Sequence, residues 1–249
     1  MKSLKIIAVA FSVFFFSGCD TLNHAGQILT QTGLGNPSAI EISLGLKQAL
    51  EFGTSASSER LSAADGFFAN AAVKILFPEE AQKVERTLRS VGLNQLADNV
   101  ILSLNRAAEA AVIEAKPIFI SAVKGMTFTD ATNILLSGQE NAATLYFKRV
   151  TSNQLLEKFQ PIIQSSLNKV GATRYWTDAI TAYNRIPLVG KVNPDLSSFV
   201  TQKAINGIFF EIAQEELKIR TRISARSTPL LQKVFAYADR NRVNTGGYK

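Results

Sequence analysis

The 249 residues include one cysteine, Cys19, and one histidine, His24. One cysteine cannot close an intrachain disulfide, and one Cys with one His falls short of the roughly four N or S ligands of a structural zinc site. After His24 the chain has neither residue type, so Ser-His-Asp and Cys-His catalysis, which need a base titrating near neutrality, are excluded there. Only 7 prolines and 15 glycines are present, with 46% hydrophobic and 19% charged residues, which excludes collagenous and disordered polymers and leaves an ordinary globular domain. Long apolar runs are scarce too. The first, Ile6 to Phe16, is about half the roughly 20 residues a membrane-spanning helix needs, and no later stretch reaches that length.

What surrounds that run gives it meaning. Lys2 and Lys5 precede it and Phe16-Ser17-Gly18-Cys19 follows it, the order of segments that predicts a signal peptide over 1–18. The small pair before Cys19 resembles the lipobox of bacterial lipoproteins, with Phe16 where Leu is usual. The resemblance implies that the Cys19 thiol receives a diacylglyceryl group and that Cys19 becomes the new N-terminus, making it the lipidation site. Acyl chains contribute about 0.8 kcal/mol per buried methylene, enough in combination for stable attachment. The expected location is therefore the cell envelope, lipid-anchored and periplasm-facing on the inner or outer membrane. Asp20 resembles the inner-membrane retention residue of enterobacterial lipoproteins. Residues 19–37 lack a sustained period and carry Gly33, Gly35 and Pro37, which predicts a tether; His24 falls within it and is assigned no role.

From Ser38 onward, helix signals recur. Ser38-x-x-Glu41 reads as a capping box, Pro78-Glu79-Glu80 as a helix start, and Gly92 as a stop. Asn94 opens a helix reaching about Lys116, where Pro117 breaks it and opens the next. Thr127 or Thr129 starts a short helix ending at Gly138, Thr151-x-x-Gln154 starts one reaching Gly171, Asn193-Pro194 starts the longest, near 195–224, and Thr228-Pro229 starts the last. Leu96, Ala97, Val100, Ile101, Leu104, Ala108 and Val112 fall on one helical face; Phe199, Ala204, Ile208, Ile212 and Ile219 fall on another. Only Val73–Phe77 reads equally as strand or helix. The prediction is all-α: one domain of about eight to ten helices over 38–236, then a basic tail, 237–249.

Leu104-Asn105-Arg106-Ala107-Ala108-Glu109 with Pro117-Ile118-Phe119 resembles the bacterial family named domain of unknown function 4197. Gly45-Leu46-Lys47-x-Ala49-Leu50, Asp65-Gly66-Phe67, Met126-Thr127 with Asp130-Ala131, and Ala142-Ala143-Thr144-x-Tyr146-Phe147-x-Arg149 extend the resemblance. Thr201-x-Lys203-Ala204 and Glu215-Glu216 with Ile219-Arg220 complete it over about residues 40–236. After Arg220 the usual small acidic-proline turn is replaced by Thr221-Arg222-Ile223-Ser224. The resemblance implies a family without an established activity to carry over.

The candidate ligand-binding residues are Asn105, Arg106, Glu109, Arg149 and Arg220. Glu109, among small alanines that permit close packing, is also the one candidate general acid for a carboxylate-dependent cell-wall hydrolase or lyase. Asn105 and Arg106 share its helical face, so a cluster within the helix explains the same residues without a substrate. Glu216 to Arg220 and Glu215 to Lys218 have the spacing of helical ion pairs. Glu211 and Glu215 fall short of the oxygens a hard cation requires, so no metal is assigned, and no cofactor. Tyr175, Trp176 and Tyr183 suit a core or a sugar or lipid pocket.

Positive charge is concentrated at one end: residues 218–249 hold eight Lys or Arg against a single acid, Asp239. Lys218, Arg222, Arg226, Lys233, Arg240 and Arg242 form the expected basic surface. For an exported chain the fitting partners are anionic lipid, a wall polymer or an envelope protein, not nucleic acid. The expected function is thus a noncatalytic, membrane-anchored envelope lipoprotein with binding activity; the alternatives are the Glu109 hydrolase and an apolar-ligand carrier.

Overall fold

A computed structural model describes residues 35–90, 92–173, 176–177, 181, 191 and 195–245. The signal peptide, Cys19 and most of the tether lie outside the described residues, as do Tyr175, Tyr183 and Asn193-Pro194. Residues 37–249 form one unit.

Ser38 begins it as the sequence predicts: its hydroxyl accepts from Glu41 N, and the Glu41 carboxylate accepts from Ser38 N at 2.7 Å. That box starts α1 (Ala39–Ser62). A nonhelical stretch then leads through the 3-10 turn Glu79–Ala81 into α2 (Gln82–Ser90), which ends at Gly92 with φ 84°, a conformation that suits glycine. Next come α3 (Asn94–Val112), α4 (Ala115–Gly125) and α5 (Phe128–Leu136). Pro117 stands in the first turn of α4, where its missing N–H costs nothing. Thr127, not Thr129, caps α5 through a second box with Asp130. The chain closes with α6 (Ala142–Lys169), α7 (Leu196–Thr221), the 3-10 turn Ile223–Ala225 and α8 (Pro229–Thr245). The all-α prediction holds: the described residues contain eight α-helices and no strand.

Several local expectations are corrected. Thr151 starts nothing: α6 is already underway, and the Thr151 hydroxyl donates to Phe147 O at 2.7 Å. At 28 residues α6, not the 26-residue α7, is the longest helix among those described. It accommodates Pro161 on an exposed face, where the carbonyl that loses its donor can be hydrated. The expected tail is helical through Thr245, with Ala238 fully buried. Leu96, assigned to a core face, is 43% exposed.

Helices α3, α6 and α7 pack on one another, and α1 lies against α4, α5, α7 and α8. Phe119 of α4 meets Phe147 of α6 and Phe209 of α7 edge-on, with ring centroids 5.3 and 6.0 Å away. Two helical glycines allow close approach of neighbouring segments. A Cβ on Gly45 would lie 2.8 Å from Val234 Cγ2, and one on Gly207 would lie 2.6 Å from the Phe67 ring. The second contact seats the nonhelical stretch after α1 against α7.

Candidate functional site

The predicted site residues divide among three places. Asn105, Arg106 and Glu109 stay together on α3, facing residues 65–77. Arg220 lies on α7 at the corner between α5 and α6. Arg149 lies on the exposed side of α6.

On α3, Asn105 is fully buried and Glu109 nearly so. Asn105 does not join its helical neighbours in a charge cluster. Its side-chain oxygen accepts from Ile75 N at 2.8 Å while its amide donates to Ile75 O at 2.8 Å, and also to Ile101 O at 2.7 Å. Val73, Ile75 and Phe77 are buried and alternate with Lys74 and Leu76, the period of an extended chain. The strand-like signal there was real, but the partner is one amide side chain instead of a second strand. Ile75 exchanges both backbone groups with it as it would within a sheet.

Glu109 holds the start of the same stretch. One carboxylate oxygen accepts from Phe67 N and Phe68 N at 3.1 and 3.2 Å, and the other from Arg106 at 2.6 Å. Arg106 also reaches Asp65, a non-glycine residue at φ 66°, at 2.6 Å. Both Glu109 oxygens are thus engaged by donors within the chain. A general acid must instead present a proton to a substrate.

At the α5–α6 corner the Glu216 carboxylate accepts from Ala143 N, Thr144 N and the Thr144 hydroxyl, each at 2.9 Å. Arg220 donates to Glu216 at 2.7 Å and to Ile134 O at 2.9 Å. The acid faces the positive end of α6 and the guanidinium the negative end of α5, so one ion pair matches two helix dipoles. The i,i+4 spacing foretold the pair; its burial, with 1% and 4% of the side chains exposed, makes it internal. Arg226 extends the knot by donating to Arg220 O and Ile219 O at 3.0 and 3.1 Å, satisfying carbonyls at the end of α7.

That position removes Arg226 from the expected basic surface. It is 4% exposed and pairs with Asp239 at 2.8 Å. Lys233 pairs with Glu41 at 2.7 Å and Lys218 with Glu215 at 3.3 Å, so those charges are matched locally. Arg222 and Arg240 are exposed, whereas the Arg242 side chain lies outside the described residues. Glu211 and Glu215, considered as metal ligands, are both engaged by Arg60, and Glu211 also accepts from Asn70 at 2.9 Å.

Among the described residues, two open concavities lie beside these ties. One, of about 270 Å³, is lined by Asp130, Asn133, Gln139, Tyr146 and Arg149. Arg149 lies over the Tyr146 ring at 5.5 Å. The Thr127 hydroxyl holds the Asp130 carboxyl below its usual range, and burial pushes the Tyr146 phenol up. The other, of about 380 Å³, runs along Lys74–Glu79 and is closed by Gln82, Phe199 and Lys203. Sequence reading gave no signal for this second concavity beyond the ambiguous Val73–Phe77 stretch. Trp176, beside it, is buried against Phe77 at a ring distance of 6.1 Å. The cleft bordered by Leu46, Leu50, Ile212 and Phe235 measures about 20 Å³. That is room for about one water, far below the several hundred Å³ of a ligand pocket.

No helix among the described residues is long and apolar enough to cross a membrane. No curated protein and no solved structure matches the chain. Residues 36–236 match the family described as "Protein of unknown function (DUF4197)", and the chain belongs to that family.

Proposed function

We propose that the protein is a noncatalytic envelope lipoprotein, held to a membrane through lipidated Cys19, whose helical domain binds a protein, lipid or cell-wall component at its surface. The supporting observation is where the most reactive side chains are spent. Glu109, Glu216 and Arg220, with the amide of Asn105, all engage backbone groups of other segments. They brace the chain, and the two open concavities lie beside the segments they brace.

Fractionation tests the anchor. In a bacterial host with two membranes, the wild type should partition with membranes and with the detergent phase, and Cys19→Ala should move to the aqueous phase. Equal partitioning of the two would overturn the anchor. Incubation with purified peptidoglycan tests the noncatalytic reading. Wild type and Glu109→Gln should both release only background amounts of soluble fragments; release by the wild type that Glu109→Gln loses would make Glu109 catalytic.

A further inference from the structure

The bond between Asn105 and Ile75 has a second side. In an extended chain, the N–H and C=O of successive residues point to opposite edges. With both Ile75 groups turned to Asn105, those of Leu76 point away from it. Among the described residues no hydrogen bond engages the Leu76 N–H or C=O, and Leu76 is 52% exposed. This edge borders the 380 Å³ groove closed by Phe199 and Lys203. Lys74, next on the same side, already donates its N–H to Asn70 O at 2.8 Å, so the unpaired edge is that of Leu76, held from behind by an asparagine.

The groove also has a sign. The Lys74 ammonium lies over the Phe68 ring at 4.0 Å and that of Lys203 over the Phe199 ring at 5.6 Å. Neither lysine has a carboxylate partner among the described residues, and the one acid on the lining is the exposed Glu79. Apolar floor is supplied by Phe77 and Phe199. Backbone groups for pairing, apolar contacts for alternate side chains and excess positive charge are the elements of strand addition to a sheet edge.

We infer that the Leu76 edge is a docking site for an extended, acidic segment of a partner protein, which pairs its backbone with Leu76 and sets its carboxylates against Lys74 and Lys203. The inference rests on the proposed binding role and names the partner chemistry for it. The clasp by Asn105 fixes the edge before the partner arrives, so docking does not bear the entropy of straightening it.

A library of random dodecapeptides displayed on phage, selected on the purified full-length protein in detergent, supplies the probe. The enriched peptides should alternate apolar residues with Asp or Glu. Leu76→Pro removes the outward N–H alone, and its steric preference keeps Ile75 extended, as Asn105 requires. It should weaken the selected peptides about tenfold, while Leu76→Ala, which keeps the N–H, should weaken them less. Lys74→Glu with Lys203→Glu should weaken them at low salt more than at high salt. Methylating alternate amides of the peptide leaves the protein untouched and should abolish binding in one of the two registers only.

Absence of acidic alternating peptides from the enriched pool would overturn the inference, as would equal binding to Leu76→Pro and wild type or indifference to amide methylation. Peptides that depend on Arg149 and ignore Leu76 would overturn it while leaving the binding role standing. Wall cleavage lost in Glu109→Gln would instead remove the noncatalytic reading.

Discussion

Glu216 with Arg220 and Glu109 with Arg106 are both acid-arginine pairs within one turn of a helix, yet their surroundings differ. In the first, both side chains are sealed; in the second, Arg106 is 43% exposed and shares itself with Asp65 at the surface. Glu109 therefore has water near its counter-ion, whereas Glu216 depends on its arginine and on the α6 N-terminus alone. The contrast separates an internal ion pair, whose desolvation must be offset by backbone partners, from an anionic clamp with a solvated arginine.

Arg220→Met should cost the most, about 3 to 5 kcal/mol in urea unfolding, because it leaves Glu216 buried with its charge unmatched. For a pair bonded only to itself, replacing both members with apolar residues recovers most of such a loss. Here, the double variant Glu216→Leu with Arg220→Met should not recover it, since backbone groups of Ile134, Ala143 and Thr144 would lose their partners. Recovery to wild-type stability would erase the distinction between the two pairs.

Asn105→Ala should cost about 3 kcal/mol, again in urea, by leaving the Ile75 N–H and C=O unpaired in the interior. It tests whether the α3 clamp depends more on its neutral amide than on its charge. A loss smaller than that of Glu109→Gln would place the weight on the carboxylate.

The smallest effect belongs to Thr127→Ala, about 1 kcal/mol for a lost N-cap. Its partner Asp130 has a carboxyl held below its unfolded value by the Thr127 hydroxyl and N–H. The contribution of Asp130 is thus complete above the ordinary aspartate value of about 3.9 and disappears as pH falls through the lower folded value. An acid titration of stability should show this loss in the wild type and less of it in Asp130→Asn.

Local signals were the legible ones. The box at Ser38, the helix start at Thr127 or Thr129, the stop at Gly92 and the pairs Arg106–Glu109 and Glu216–Arg220 all depend on residues within one turn of each other. The start of α6 was not legible for a specific reason. Asn141, at its N-cap position, makes no capping bond, and the helix's first N–H groups are satisfied by Glu216, far along the chain. A cap from another helix leaves no local mark, so the nearest matching motif, Thr151-x-x-Gln154, stood in for it. The same holds at Asn105: its spacing on α3 places it beside Arg106 and Glu109, but nothing in that spacing points to Ile75. Arg226 was read by its place in a basic segment, whereas its role follows from the carbonyls at the end of α7.

The clasp between Asn105 and Ile75 also bears on proteolysis. Residues between Ser62 and Glu79 make a long nonhelical stretch, and Lys74 within it offers trypsin a cleavage point. A protease needs its substrate opened out and released from its neighbours, so cleavage tracks the population of locally open molecules. Cutting after Lys74 requires Ile75 to leave Asn105, and the rate of that cut counts how often the clasp lets go.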